Sequence, residues 1–226
     1  MKRNTISPSR FIKMKRAFYV RPTLTVARDL LGLYLFRRIG HETLIGRIVE
    51  VEAYRGGDDP ASHAYRGRTK RNEVMFRTGG YLYVYFSYGM HFCCNVVTEE
   101  ERTPGAVLIR AIEPAGSIDT LVKNRIQGRR SRISARPARH APKPLNLHQL
   151  CSGPARVCKA FAIDRKDNGK DLCGYEIWLA KEALSGRDFK LTTTTRIGVT
   201  SGTHHRWRFH IAGNPAVSRA RPVGSL

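Results

Sequence analysis

The chain has 226 residues, 41% of them hydrophobic, which is enough for one sizeable core. Its 40 Lys and Arg against 18 Asp and Glu give a formal net charge of +22, which favours a polyanionic partner. No run of about 18 apolar residues is present to cross a membrane. The five cysteines, with Cys93 and Cys94 adjacent, lack zinc-knuckle spacing and read as thiols of a reducing compartment.

Residues 1–17 are basic without an apolar stretch, so they read as a flexible arm and not as a secretory signal. Residues 22–31 place apolar side chains at helical spacing, with a proline at the start and Gly32 beyond the end, the pattern of a short amphipathic helix. Strands are expected over 33–39 and 44–54. The second carries Glu50 and Glu52 among apolar neighbours. In an alternating strand residues 50, 52 and 54 share a face, so Glu50, Glu52 and Tyr54 line up unless a bulge intervenes. A loop-rich segment follows, with Gly56-Gly57, Asp58-Asp59, His63 and a basic run over 66–71.

Residues 80–97 crowd aromatics into a β-pattern. Tyr81, Tyr83 and Tyr85 fall on one face of a strand, and Leu82, Val84 and Phe86 on the other. Gly89 and a second apolar run make this a hairpin, with Tyr88, Met90 and His91 at the tip. Turn side chains usually sit in water. A tyrosine and a methionine there either fold back onto the body or form a wedge that enters a nucleic acid.

Residues 103–112 read as a buried strand, and Arg110 within it needs a partner. A helix is expected from Glu113-Pro114 to about residue 126. Residues 125–144 are rich in arginine and lack acids, the composition of a mobile basic loop. A helix over 152–161 has Pro154 in its first turn. Strands over 175–179, 191–195 and 205–211 lead to a short tail, 220–226. No repeat or linker divides the chain.

A glutamate in an apolar strand is a candidate general base, because aromatic walls can keep bulk water from the one it holds. Ion pairing with Arg110 is the competing reading for Glu52. Two carboxylates two residues apart could also ligate Mg²⁺ in a nuclease, with Asp58 or Asp59 as a further ligand. A noncatalytic RNA- or ribosome-binding protein would account for the charge and tyrosines but has no use for a carboxylate facing them. Tyrosines and a histidine can hold an extruded base, a carboxylate can activate water against the sugar carbon, and a hairpin tip can fill the gap in the duplex.

Several motifs in order resemble one family. They are Arg47-Ile-Val-Glu-Val-Glu-Ala-Tyr54, His63, Arg71-Asn72, Met75-Phe76, Tyr83-Val-Tyr-Phe-Ser-Tyr-Gly-Met90, Asn95, Val107-Leu-Ile-Arg-Ala-Ile-Glu-Pro114, Leu150-Cys-Ser-Gly-Pro-Ala-Arg156, Arg196-Ile-Gly-Val199 and Arg208-Phe-His-Ile-Ala-Gly-Asn-Pro215. Together they look like the alkyladenine (3-methyladenine) DNA glycosylase family. The resemblance implies a single α+β domain over 18–219, built on a curved, mainly antiparallel sheet with flanking helices and a protruding hairpin. It implies that Glu52 is the water-activating base and Arg110 helps hold the water. Tyr54, His63 and Tyr85 would stack the flipped base, Asn95 would exclude guanine, and Tyr88, with Met90 beside it, would intercalate. It further implies no metal or cofactor and a monomer acting on double-stranded DNA that contains damaged purines. The location would be the cytoplasm and nucleoid of a bacterium, or the nucleus or an organelle of a eukaryote. Spacing alone does not rank Glu52 above Glu50; only the motif does. Val51 stands where the family commonly has threonine.

Overall fold

The structure is a computed structural model that describes residues 10–87, 89–130, 146–183, 186 and 188–218. Tyr88, residues 1–9, residues 131–145 and the tail from 219 lie outside these, so the expectations for the hairpin wedge, most of the basic loop and the tail fall beyond the described residues.

Nine antiparallel strands form one sheet among the described residues. The order β1-β7-β2-β3-β6-β5-β4 is built from Phe11–Lys13, Ile177–Glu182, Tyr34–Ile39, Glu42–Arg55, Gly105–Gly116, His91–Thr98 and Leu82–Ser87. Strand β3 is the spine. One edge pairs with β6 over residues 45–55. The other edge is shared: β2 takes residues 42–47, and β9 (Arg208–Ile211) takes residues 50–52, with β8 (Leu191–Thr194) beyond it. Glu50 and Glu52 thus lie at the centre of the sheet, covered on both edges. The helices Thr23–Leu30 and Pro154–Ala160 pack against it, and Val26, Leu30, Ile48, Val51, Leu82, Val84, Val157 and Phe161 join one apolar core. A Cβ on Gly46 would come within 2.3 Å of Ile112 and 3.1 Å of the Phe161 ring, so only glycine lets β3 lie this close to the Ile112 side chain of β6.

Three expectations are corrected. Residues 11–13 of the supposed flexible arm form the edge strand β1 on β7. Its anchor is aromatic: Phe11 meets Tyr34 and Phe36 edge-on at 4.9 and 5.0 Å. The strand expected to end at residue 112 continues to Gly116. Pro114 is tolerated because the pairing is irregular where it meets Gly46. The helix after it spans Ile118–Arg130, so the first residues of the basic loop are helical. Arg125 is buried there and donates Nε–H to the Leu150 carbonyl at 3.0 Å.

Candidate active site

Two one-residue bulges set the site. Ile48 faces Ile112 and Glu50 faces Ala111, leaving Val49 unpaired on β3. Glu50 faces Ala111 and Val51 faces Ile109, leaving Arg110 unpaired on β6. Freed from the ladder, Arg110 turns to bridge both glutamates, with Nε 3.0 Å from Glu50 and Nη1 3.1 Å from Glu52. The bulge on β3 lies before Glu50, so residues 50–54 keep their alternation, and Glu50, Glu52 and Tyr54 share a face as expected.

The two glutamates are equally buried, at 0% exposure, but their surroundings differ. Glu50 is enclosed by donors: Arg110, Arg208 Nε at 2.7 Å, and Ser218 N–H and Oγ–H at 2.6 and 2.8 Å. Burial alone would raise its carboxyl, but Arg110, Arg208 and the Ser218 N–H outweigh that and hold it below the ordinary range. Glu52 accepts from the Tyr54 hydroxyl at 2.9 Å and Arg110 on Oε2, and from the Ile197 N–H at 2.7 Å on Oε1. Oε1 therefore keeps an acceptor position. The ion-pair reading and the general-base reading are compatible, since one arginine serves both carboxylates.

Cross-strand pairing then carries the site into the hairpin. Glu52 faces Leu108, Leu108 faces Asn95, and Asn95 faces Tyr83. One turn of pleat away, Tyr54, Ala106 and Tyr85 stand on the same side. Tyr54, Tyr83, Tyr85, Asn95 and Ala106, with Ala61, His63 and Met75, line a narrow pocket of about 270 Å³ counting its open mouth. His63 Nδ1 and the Tyr83 hydroxyl share a hydrogen bond at 2.9 Å. The His63 ring meets Tyr85 edge-on at 4.5 Å. Burial, with Arg71 nearby, lowers the His63 pKa, so the imidazole is neutral at pH 7. Burial raises the Tyr54 and Tyr85 phenols and takes Tyr83 up to about 12, so the walls are uncharged. Asn95 is fixed by its own amide, which donates to the Tyr83 carbonyl at 3.1 Å. Met90 stands outside the pocket at the hairpin tip, 50% exposed.

Asp59, the suggested further metal ligand, is engaged elsewhere. It takes two hydrogen bonds from Arg196, at 2.6 and 2.7 Å, and the pair is fully buried. Among the described residues no three His, Cys, Asp or Glu are grouped to hold a metal ion. Sequence reasoning missed Arg208, Ser218, the Ile197 N–H and the Asp59–Arg196 pair. Arg208 carried the same signal as Arg110, an arginine inside an apolar strand. The other three have no local signal, because their partners lie more than a hundred positions away.

The uncharged slot suits a flat guest, and the Glu52 carboxylate, hydrogen-bonded to Tyr54 of its wall, can accept a proton from water. The class of protein that joins these two capacities on a polycation is the DNA glycosylase. A family model described as methylpurine-DNA glycosylase (MPG) matches residues 17–215, and the chain belongs to that family, whose members hydrolyse N-glycosyl bonds to alkylated bases in DNA. It is 42% identical over 212 residues to a protein of Alkaliphilus oremlandii named "Putative 3-methyladenine DNA glycosylase", covering 92% of this chain and 100% of the relative. Proteins with the same printed name from Carboxydothermus hydrogenoformans and Desulfitobacterium hafniense are 44% and 40% identical, each covering 91% of this chain and 98% of the relative.

Proposed function

We propose that the protein acts as a monomer on duplex DNA, swings an alkylated or deaminated purine into the pocket and hydrolyses its N-glycosidic bond. Candidate guests are 3-methyladenine, 7-methylguanine, hypoxanthine and ethenoadenine. Tyr54, His63 and Tyr85 hold the base, and Asn95 crowds the exocyclic amine of guanine. Glu52 takes a proton from the water that attacks the sugar carbon, the bond to the base breaks, and its electron pair leaves with the base. Arg110 holds Glu52 and the water in place. The observation that carries this reading is Glu52 itself: buried, met by three donors, and hydrogen-bonded to Tyr54 in the wall of an uncharged aromatic slot.

Incubation with methylated DNA and chromatography of the soluble products is the test. Free methylated purines are expected, with EDTA present or absent, because the carboxylate and the leaving base supply the chemistry. Strand scission without free base would instead indicate a nuclease. Binding without either product would favour the noncatalytic reading, and release that needs added metal would displace Glu52 as sole activator.

For the hairpin tip, the proposal is that Tyr88 fills the space left by the extruded nucleotide, with Met90 beside it. Unstacking costs a few kcal/mol, and a wedge recovers part of that. Tyr88→Ala is expected to slow excision of hypoxanthine most when the lesion is stably paired and least when it is mismatched, while Tyr88→Phe behaves as wild type. Equal losses on both substrates, together with a lower melting temperature, would mean that the tip supports the fold instead.

A further inference from the structure

The Asp59–Arg196 pair is buried without touching the pocket. Its contacts converge on the strand and the turn that line the pocket and on the segment that donates to Glu52. Arg196 Nη1 donates to Asp59 at 2.6 Å and to the Ala53 carbonyl at 3.1 Å, the peptide between Glu52 and Tyr54. Its guanidinium carbon sits 4.7 Å from the Tyr54 ring centroid and 5.2 Å from that of Trp207. Tyr54 is thus backed by a cation on its face while its hydroxyl donates to Glu52. The residue after Arg196 is Ile197, whose N–H is a further donor to Glu52. On the acidic side, Asp59 Oδ1 accepts from Ala61 N–H at 3.1 Å, and the Asp59 carbonyl accepts from Ser62 N–H at 2.9 Å. That turn delivers His63 to the pocket wall.

One ion pair therefore joins the strand carrying Glu52 and Tyr54, the turn carrying His63, and the segment carrying the Ile197 N–H. Stability alone is a poor reason for such a pair, because desolvating two charges offsets most of their attraction and apolar replacements of similar shape are often as stable. A planar, bidentate fork does what an apolar pair cannot: it fixes distance and orientation together.

We propose that Asp59 and Arg196 are positioning residues for base excision, a clasp that holds Tyr54 and the Ile197 N–H on Glu52 and ties the base-stacking turn to the same joint. This rests on the reading of Glu52 as the general base. The clasp acts on geometry at the reacting centre, where a displacement of about 1 Å can cost on the order of 10²-fold in rate.

Asp59→Asn alone strands a buried cation and endangers the fold, so the decisive variant is the double Asp59→Leu/Arg196→Met. Melting temperature, affinity for lesion DNA and the single-turnover rate at saturating enzyme are measured together, with Glu52→Gln in parallel. The expected result is a protein folded at assay temperature, with an affinity near wild type and a rate lowered about 10- to 100-fold. Arg196→Lys, which keeps the charge but not the fork or the stacking plane, is expected to fall between. A double variant that folds, binds and cleaves as wild type would show that the pair is only structural and overturn the proposal. If the double variant melts below assay temperature, Arg196→Lys decides: a rate loss larger than its loss of folded fraction supports the clasp, and a rate that tracks folded fraction overturns it. Activity retained in Glu52→Gln would overturn the general-base reading instead, so the two failures are distinct.

Discussion

Glu52→Gln is expected to release damaged bases about 10²- to 10⁴-fold more slowly than wild type in single turnover, the usual range for loss of a general base, while still binding lesion DNA. The amide keeps the side chain's shape but cannot take a proton from water. Its orientation is also forced. Arg110 and Tyr54 both donate toward Oε2, and Ile197 N–H donates toward Oε1. The amide oxygen will face the arginine, which sets the NH₂ against the Ile197 N–H and costs about 1–3 kcal/mol of stability. Glu50→Gln is the informative control. Its NH₂ would oppose the Ser218 N–H, now 2.6 Å from Oε2, with a comparable stability cost. Glu52 keeps Arg110, Tyr54 and Ile197 in that variant, so excision is expected to fall far less. Single-turnover rates set beside melting temperatures for the two variants separate chemistry from folding. Near-wild-type excision by Glu52→Gln, or equal rate losses in both variants, would remove Glu52 from its role.

The legible part of this protein was the part written in short-range pattern. Alternation of apolar and polar residues over 44–54 located β3 and put Glu50, Glu52 and Tyr54 on one face. Alternation over 80–97 located the hairpin and put Tyr83 and Tyr85 opposite Leu82 and Val84, as the core and the pocket divide them. What escaped is what depends on distant pairing. No local feature of residues 105–112 says that Arg110 is the extra residue of a bulge, because a bulge is a mismatch between two strands and neither strand records it alone. Phe11 looked like part of a basic arm until Tyr34 and Phe36 gave it a surface to pack on. Asp59 looked available for a metal because nothing near it in the chain reveals Arg196, 137 positions on. The motif resemblance ranked Glu52 above Glu50 where spacing could not. The geometry supplies a physical distinction between them, since Glu50 takes four hydrogen bonds, none from a pocket residue, while Glu52 takes three, one of them from Tyr54 of the pocket wall.

Arg110→Met is expected to produce the largest loss of stability of any single change at the site. The substitution keeps most of the side chain's length and removes the cation shared by two buried carboxylates, both at 0% exposure. Breaking a buried pair by removing one partner costs about 3–5 kcal/mol. For a chain of this size that lowers the melting temperature by roughly 6–20 °C at pH 7. The effect should depend on pH, and Glu50 gives the sign. In the wild type its carboxyl is held below the ordinary value of 4.5 despite burial, by Arg110, Arg208 and Ser218. A folded value below the unfolded one contributes stability that is complete above the unfolded value and is lost as pH falls through the folded one. Without Arg110 that lowering shrinks and burial is opposed by less, so the variant has less of this contribution to lose. The gap between variant and wild type should therefore be widest at pH 7, persist down to about 4.5, and narrow as pH falls below 4.5 through the folded value of Glu50. Melting curves of both proteins from pH 7 down to well below 4.5 measure it. A gap that stays constant with pH, or a variant as stable as wild type at pH 7, would mean that Arg110 does not hold the two carboxylates together.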